Sequence, residues 1–277
     1  GTVRFRRPSA VVALDDGSFA VKDDRCVYLF SKAGEYIRTL GKDSLVRPFG
    51  LAAHGGNQLV TLSLATPAKL WRFSATGDFE ASAVYSPLQP AAPTGSKCRF
   101  LDVHGDFAFV ADLGLSHMYK TNMNGEGTSI FGKKGKEPGA FCEPSGISAS
   151  DKGLFIGDSK NNRIQVFDFD GNFVNVLKLS SRITRPSGIH VSDANNKLYV
   201  LNYLHGVVGV YNLVFKGTKT VRLGYCATEA DSWARSGASA SAAAMTSLLW
   251  NVQTGQARAV AAERVVAAAP ARQLCAV

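Results

Sequence analysis

The sequence predicts an all-β fold in which one four-stranded unit repeats around an axis, a β-propeller. Three observations predict it. A motif returns about every 40 to 50 residues, each copy holds four short runs of β-branched, aromatic and aliphatic residues, and Gly, Asn and Asp separate the runs. Asp16-Gly17, Thr76-Gly77-Asp78, Asn124-Gly125 and Asp170-Gly171 read as hairpin turns, because Gly and Asn tolerate positive φ. One four-stranded blade has two faces to bury. Blades stacked around an axis bury them against each other, which accounts for runs with little alternation such as Val27-Tyr28-Leu29-Phe30.

The first copy starts at Pro8, with later strands expected at Ser18–Val21, Cys26–Phe30 and Gly34–Ile37. A degenerate second copy starts at Pro48 and continues through Gln58–Thr61 and Leu70–Phe73. A third, also degenerate, starts at Phe100 and continues through Phe107–Asp112 and His117–Lys120. The fourth is the clearest. It runs from Pro144-Ser145-Gly146-Ile147 through Phe155-Ile156-Gly157-Asp158-Ser159 and Asn162-Arg163-Ile164-Gln165-Val166-Phe167-Asp168 to Asp170-Gly171-Asn172-Phe173. The fifth starts at Pro186-Ser187-Gly188-Ile189 and continues through Lys197–Val200 and Val207–Asn212.

Composition shifts after residue 224. Residues 226–277 hold 17 alanines against 18 in the first 225, so the tail reads as an Ala/Ser-rich segment of low complexity. Within it, Ser247–Val260 reads as strand, turn and strand. Two readings stand: residues 225–277 contribute the outer hairpin of a sixth blade, with Gly1–Phe5 as that blade's last strand, or they form a tail outside the propeller of residues 1–224.

The motif of residues 144–174 resembles the NHL repeat almost throughout. The resemblance implies a six-bladed NHL propeller, with five blades clear in the sequence. It is best known from TRIM-NHL and RING-NHL proteins, and it implies recognition of single-stranded RNA or of a protein substrate by the propeller. In those families ubiquitin ligase chemistry comes from an upstream RING, whose cysteines this chain lacks. The same repeat occurs in lyases and receptors, so fold alone does not assign function.

Composition bounds the alternatives. The chain has 277 residues, is 45% hydrophobic and carries a formal charge of +9. No window holds 18 consecutive apolar residues, so no membrane-spanning helix is expected. The chain opens on Gly1 without a charged-then-apolar leader, and the missing Met suggests a fragment or a processed chain. Cys26, Cys98, Cys142, Cys226 and Cys275 are odd in number and contain no CxxC pair, which points to reduced thiols and a cytoplasmic setting.

Charge is expected to segregate by face. Loops between the second and third strands of a blade share one face with the loops between blades. That face collects fourteen Lys and Arg against seven Asp and Glu, whereas the opposite face collects four against ten. A one-sided basic face fits a phosphate-backbone binder. The candidate contacts are Lys133, Lys134 and Lys136, then Lys160, Asn161 and Asn162 at a loop tip, Arg185, and Tyr203 with His205 for stacking on unpaired bases. Two bland readings stand beside these. The Lys133–Lys136 loop reads equally as a solvated loop, and Asp158 with Arg163 reads as a structural pair.

No catalytic set is legible. Asp102 and His190 fall at equivalent positions facing the central channel, but the matching positions in blades one, two and four are Val12, Ala52 and Ser148. His54 and His104 lie at the ends of inner strands. There is no GxSxG, HExxH or phosphate loop. The chain is therefore expected to be a non-catalytic binding module without metal or small-molecule cofactor, binding RNA or protein on its basic face and no membrane.

Overall fold

The computed structural model describes residues 3–42, 44–55, 58–63, 69–74, 79–84, 95–125, 129–179, 184–202, 207–216, 220–225, 248–251 and 256–259. It is an all-β propeller with five four-stranded blades. Blade one is β1 (Ala10–Ala13), β2 (Phe19–Lys22), β3 (Val27–Phe30) and β4 (Tyr36–Leu40). Blade two is β5 (Pro48–His54), β6 (Gln58–Ser63), β7 (Lys69–Ser74) and β8 (Phe79–Val84). Blade three is β9 (Cys98–His104), β10 (Phe107–Asp112), β11 (His117–Asn122) and β12 (Ser129–Phe131). Blade four is β13 (Pro144–Ser150), β14 (Gly153–Asp158), β15 (Arg163–Phe167) and β16 (Phe173–Lys178). Blade five is β17 (Pro186–Ser192), β18 (Lys197–Asn202), β19 (Val207–Lys216) and β20 (Thr220–Tyr225). A separate hairpin pairs β21 (Leu248–Asn251) with β22 (Gln256–Ala259). Each blade is a meander in chain order, antiparallel throughout.

Three of the five blade starts match the sequence landmarks, while β1 opens two residues after Pro8 and β9 two residues before Phe100. β5, β13 and β17 begin at Pro48, Pro144 and Pro186. Proline suits this position because it opens a strand without owing a ladder hydrogen bond. Among the described residues the only helical turn is Ser159–Asn161.

Blades bury both faces, as the runs without alternation require. In blade four, Phe155, Ile164 and Val166 pack with Ile189, Leu198 and Val200 of blade five. Leu154, Ile156 and Phe167 turn the other way, onto Phe109 and Met118 of blade three. Blades one and two share Val27, Leu29, Leu59 and Phe73. Blades two and three share Val60, Leu62, Val110 and Tyr119. Each fully buried Leu, Phe or Val contributes about 1.5–3 kcal/mol.

The first strands are innermost. Residues of β1, β5, β9, β13 and β17 together line one central cavity of about 50 Å³. Close approach between inner strands fixes a glycine: a Cβ on Gly146 would stand 2.7 Å from the Ser187 carbonyl of the next blade.

Of Gly1–Phe5, which one of the two readings makes the last strand of a sixth blade, residues 3–5 are described. They form no strand, and the backbone N–H groups of Arg6 and Arg7 donate to the Asp23 carboxylate. Val3 and Phe5 cover Phe19, Val21 and Phe30, the face of blade one that in later blades meets the preceding blade. Phe5 meets Tyr28 edge-on at 5.5 Å.

Candidate nucleic-acid interface

Blade four builds its loop around one buried carboxylate. Asp158 ends β14 with no exposure. It accepts the Cys142 N–H at 2.7 Å, Asn161 Nδ2 at 2.8 Å, Arg163 Nε at 2.7 Å and Gln165 Nε2 at 3.1 Å. Asp158 and Arg163 are thus a structural pair. Arg163 Nη2 also donates to the carbonyls of Glu137 and Ala140, and Gln165 Nε2 to that of Ala140. Blade three repeats the device with Asp112, which accepts Ser96 Oγ, the Lys97 and Gly114 N–H groups and Tyr119 Oη.

Those bonds hold the connection from blade three to blade four. Lys134 bridges to Phe141 in parallel fashion, the Gly139 N–H donates to Gln165 Oε1, and Phe141 is fully buried. Lys133, Lys134 and Lys136 are exposed on this pinned loop, and none makes an ion pair among the described residues.

The other expected contacts divide. Lys160 is exposed but paired with Glu143 at 2.5 Å. Asn161 turns inward, donating to the Gly135 carbonyl and to Asp158. Asn162 is exposed at φ 52°, and its Oδ1 accepts the N–H of exposed Arg185 at 2.9 Å. Tyr203 and His205 lie outside the described residues. The structure therefore brings Lys160, Asn161, Asn162 and Arg185 to one neighbourhood, with Asn161 serving the loop.

A second basic group, not singled out in the sequence, sits where the inner strands enter from this face. Lys22 ends β2 only 4% exposed, not in a loop. Its Nζ bonds Ser9 Oγ and lies 5.3 Å from the centre of the Phe49 ring. The Arg99 guanidinium approaches the same ring to 5.1 Å. Burial pulls the Lys22 ammonium down to about 8 against the opposing pull of Asp23 and Asp24. The repeat itself carried a signal. Lys22 stands where blade four has Gly157, and Phe49 and Arg99 stand where it has Ser145.

The channel residues act as ties between blades. The Asp102 carboxylate accepts the Ala149 N–H of blade four at 2.8 Å and the Val103 N–H at 2.9 Å. One blade on, Ser148 Oγ accepts the Val191 N–H at 2.9 Å. Burial lifts Asp102 to about 6 and lowers His190 to about 4. His54 joins blade two to the Gly105 carbonyl, and His104 stacks on Phe169 at 4.1 Å. Among the described residues no three His, Cys, Asp or Glu converge as metal ligands. Cys98 is buried and its thiol is pushed up to about 12, mainly by burial.

Known proteins match at two levels. The NHL repeat model matches residues 141–167. Protein lin-41 of Caenorhabditis elegans is 47% identical over 45 residues, which are 16% of this chain and 4% of that protein. The chain thus spans a small part of that relative's length. Among solved structures, virginiamycin B lyase from Staphylococcus aureus aligns with a TM-score of 0.57 at 13% identity, covering 82% of this chain and 74% of the lyase. A chain of a nidogen/laminin complex aligns at 0.59 and 14% identity over 74% and 75%. The Cps50 (Swd1) propeller of Myceliophteria thermophila aligns at 0.58 and 12% over 80% and 73%. At these identities the structures share the fold alone.

Proposed function

Starting from an NHL-repeat β-propeller domain, which this chain carries, we propose a non-catalytic binding module that recognises single-stranded RNA on its basic face. The observation that carries this reading is the pinned loop of residues 132–143. It holds exposed Lys133, Lys134 and Lys136 on a fixed backbone, so cations meet phosphates with little ordering cost. Exposed Asn162 and Arg185 extend the same surface, and Tyr203 and His205, outside the described residues, are the candidates in the sequence for stacking on unpaired bases.

The module belongs to a longer, cytoplasmic TRIM-NHL-like protein that acts as a ubiquitin ligase or translational regulator. Its ring has six blades. The reading of six rests on the resemblance to NHL domains, which are usually six-bladed, and on the hairpin β21–β22 that follows the five blades. Catalysis is disfavoured because Asp102, the channel's acid, is engaged by two backbone N–H groups.

The test is binding to a pool of single-stranded RNAs. Replacing Lys133, Lys134 and Lys136 with Ala should weaken all sequences about equally, and replacing Lys32 and Lys152 on the opposite face should change little. If the pool does not bind at micromolar protein, recognition of a protein substrate presented for ubiquitination replaces the RNA reading.

A further inference from the structure

Comparing the five repeats position by position shows where the chain departs from its own pattern. The position held by Ser145 in blade four is Ser9 in blade one and Ser187 in blade five, but Phe49 in blade two and Arg99 in blade three. The last residue before the buried loop polar group is Leu62, Ala111, Gly157 and Leu201 in four blades, but Lys22 in blade one. Three departures in three adjacent blades meet at one point. The Lys22 ammonium and the Arg99 guanidinium lie 5.3 and 5.1 Å from the centre of the single Phe49 ring.

This arrangement is costly as it stands. Two cations share a half-buried aromatic site, and Lys22 is 4% exposed. Neither forms an ion pair among the described residues. The nearest acid in sequence, Asp23, is engaged by the backbone N–H groups of Arg6 and Arg7. Asp23 and Asp24 favour the charged form of Lys22, but burial outweighs them, and the Phe49 quadrupole offsets only part of that cost. Lys22 has three donors, of which Ser9 Oγ takes one. Arg99 keeps a planar fork suited to two oxygens of an oxyanion.

We propose that Lys22, Phe49 and Arg99 form a clasp for one phosphate group at the mouth of the central channel on the basic face. In the clasp the ammonium and the guanidinium, each about 5 Å from the centre of the same ring, contact oxygens of one phosphate. The clasp lies on blades one to three and does not depend on the Lys133–Lys136 loop. It bears on the RNA reading only through the source of its phosphate.

The experiment is an NMR titration of the whole chain with inorganic phosphate, following the Arg99 Nε–H resonance, with chloride at matched ionic strength as the control. The expected result is a saturable shift with phosphate and none with chloride. Affinity should fall at least about tenfold in Arg99→Gln and in Lys22→Met, as loss of a charge-assisted contact predicts. Arg99 is half-buried, so its variant keeps the test intact if Lys22→Met does not fold. The Lys133, Lys134 and Lys136 alanine variant should bind phosphate normally, which separates the clasp from the loop. Competition by RNA carrying a 5′-phosphate but not by the 5′-hydroxyl form assigns a terminal phosphate. Competition by both assigns a backbone diester, and competition by neither assigns a free phosphate compound. A linear response, equal in wild type and Arg99→Gln, overturns the proposal.

Discussion

Blade four and the inner mouth of blades one to three use polar residues in opposite ways. Blade four follows the repeat, and its buried Asp158 is met by a backbone N–H, an amide, a guanidinium and a second amide. At the inner mouth of blades one to three, Lys22 and Arg99 replace uncharged repeat residues and converge on Phe49 without an ion pair among the described residues. The polar residues that obey the repeat close a loop, whereas those that break it gather on one aromatic ring.

The largest expected effect is on the scaffold side. Asp158→Ala leaves Arg163 and Gln165 without their shared acceptor, and breaking such a buried pair costs about 3–5 kcal/mol. Urea denaturation should show that loss. Lys22→Met should show the reverse character: removing a buried cation should keep stability within about 1 kcal/mol of wild type or raise it. If Lys22→Met destabilises as much as Asp158→Ala, Lys22 belongs to the scaffold and the contrast fails.

An intermediate effect concerns pH. Asp102 is lifted from 3.8 to about 6, so the folded state holds its proton more tightly than the unfolded chain. Its contribution to stability is full below 3.8 and is lost as pH rises towards 6. His190 is lowered from 6.5 to about 4, so its contribution rises with pH over that window. The two oppose each other between about 4 and 6. Relative to wild type, urea midpoints of Asp102→Asn should climb more steeply with pH, and those of His190→Gln should climb less or fall. Parallel curves for all three proteins would show that neither channel residue is coupled to folding.

The fold was legible in the sequence to the residue in places. Pro48, Pro144 and Pro186 open β5, β13 and β17 because the repeat motif and the strand start coincide. At the N-terminus, the packing of Val3 and Phe5 on Phe19, Val21 and Phe30 was not legible, since a short apolar pattern does not say which face it covers. Site residues were harder for a related reason. Asn161 and Lys160 look free at a loop tip, but Asp158 and Glu143 reach them only once the chain is folded. Lys22 counts as surface charge in any tally, and Phe49 reads as core. Their meeting at one ring depends on blade packing, which no local pattern encodes.

The smallest expected effect on stability comes from the exposed loop, where replacing Lys133, Lys134 and Lys136 with Ala should shift stability by no more than about 0.5 kcal/mol. The same substitution should have a marked effect on binding to the basic face. The affinity of single-stranded RNA should be followed against salt for wild type and for the triple variant. Each phosphate contact on a single strand contributes a slope of about 0.7 in log affinity per log salt. The account predicts a steep slope for wild type and one shallower by about 2 for the variant, with stability unchanged. Equal slopes for the two proteins, or no salt-sensitive binding at all, would contradict it.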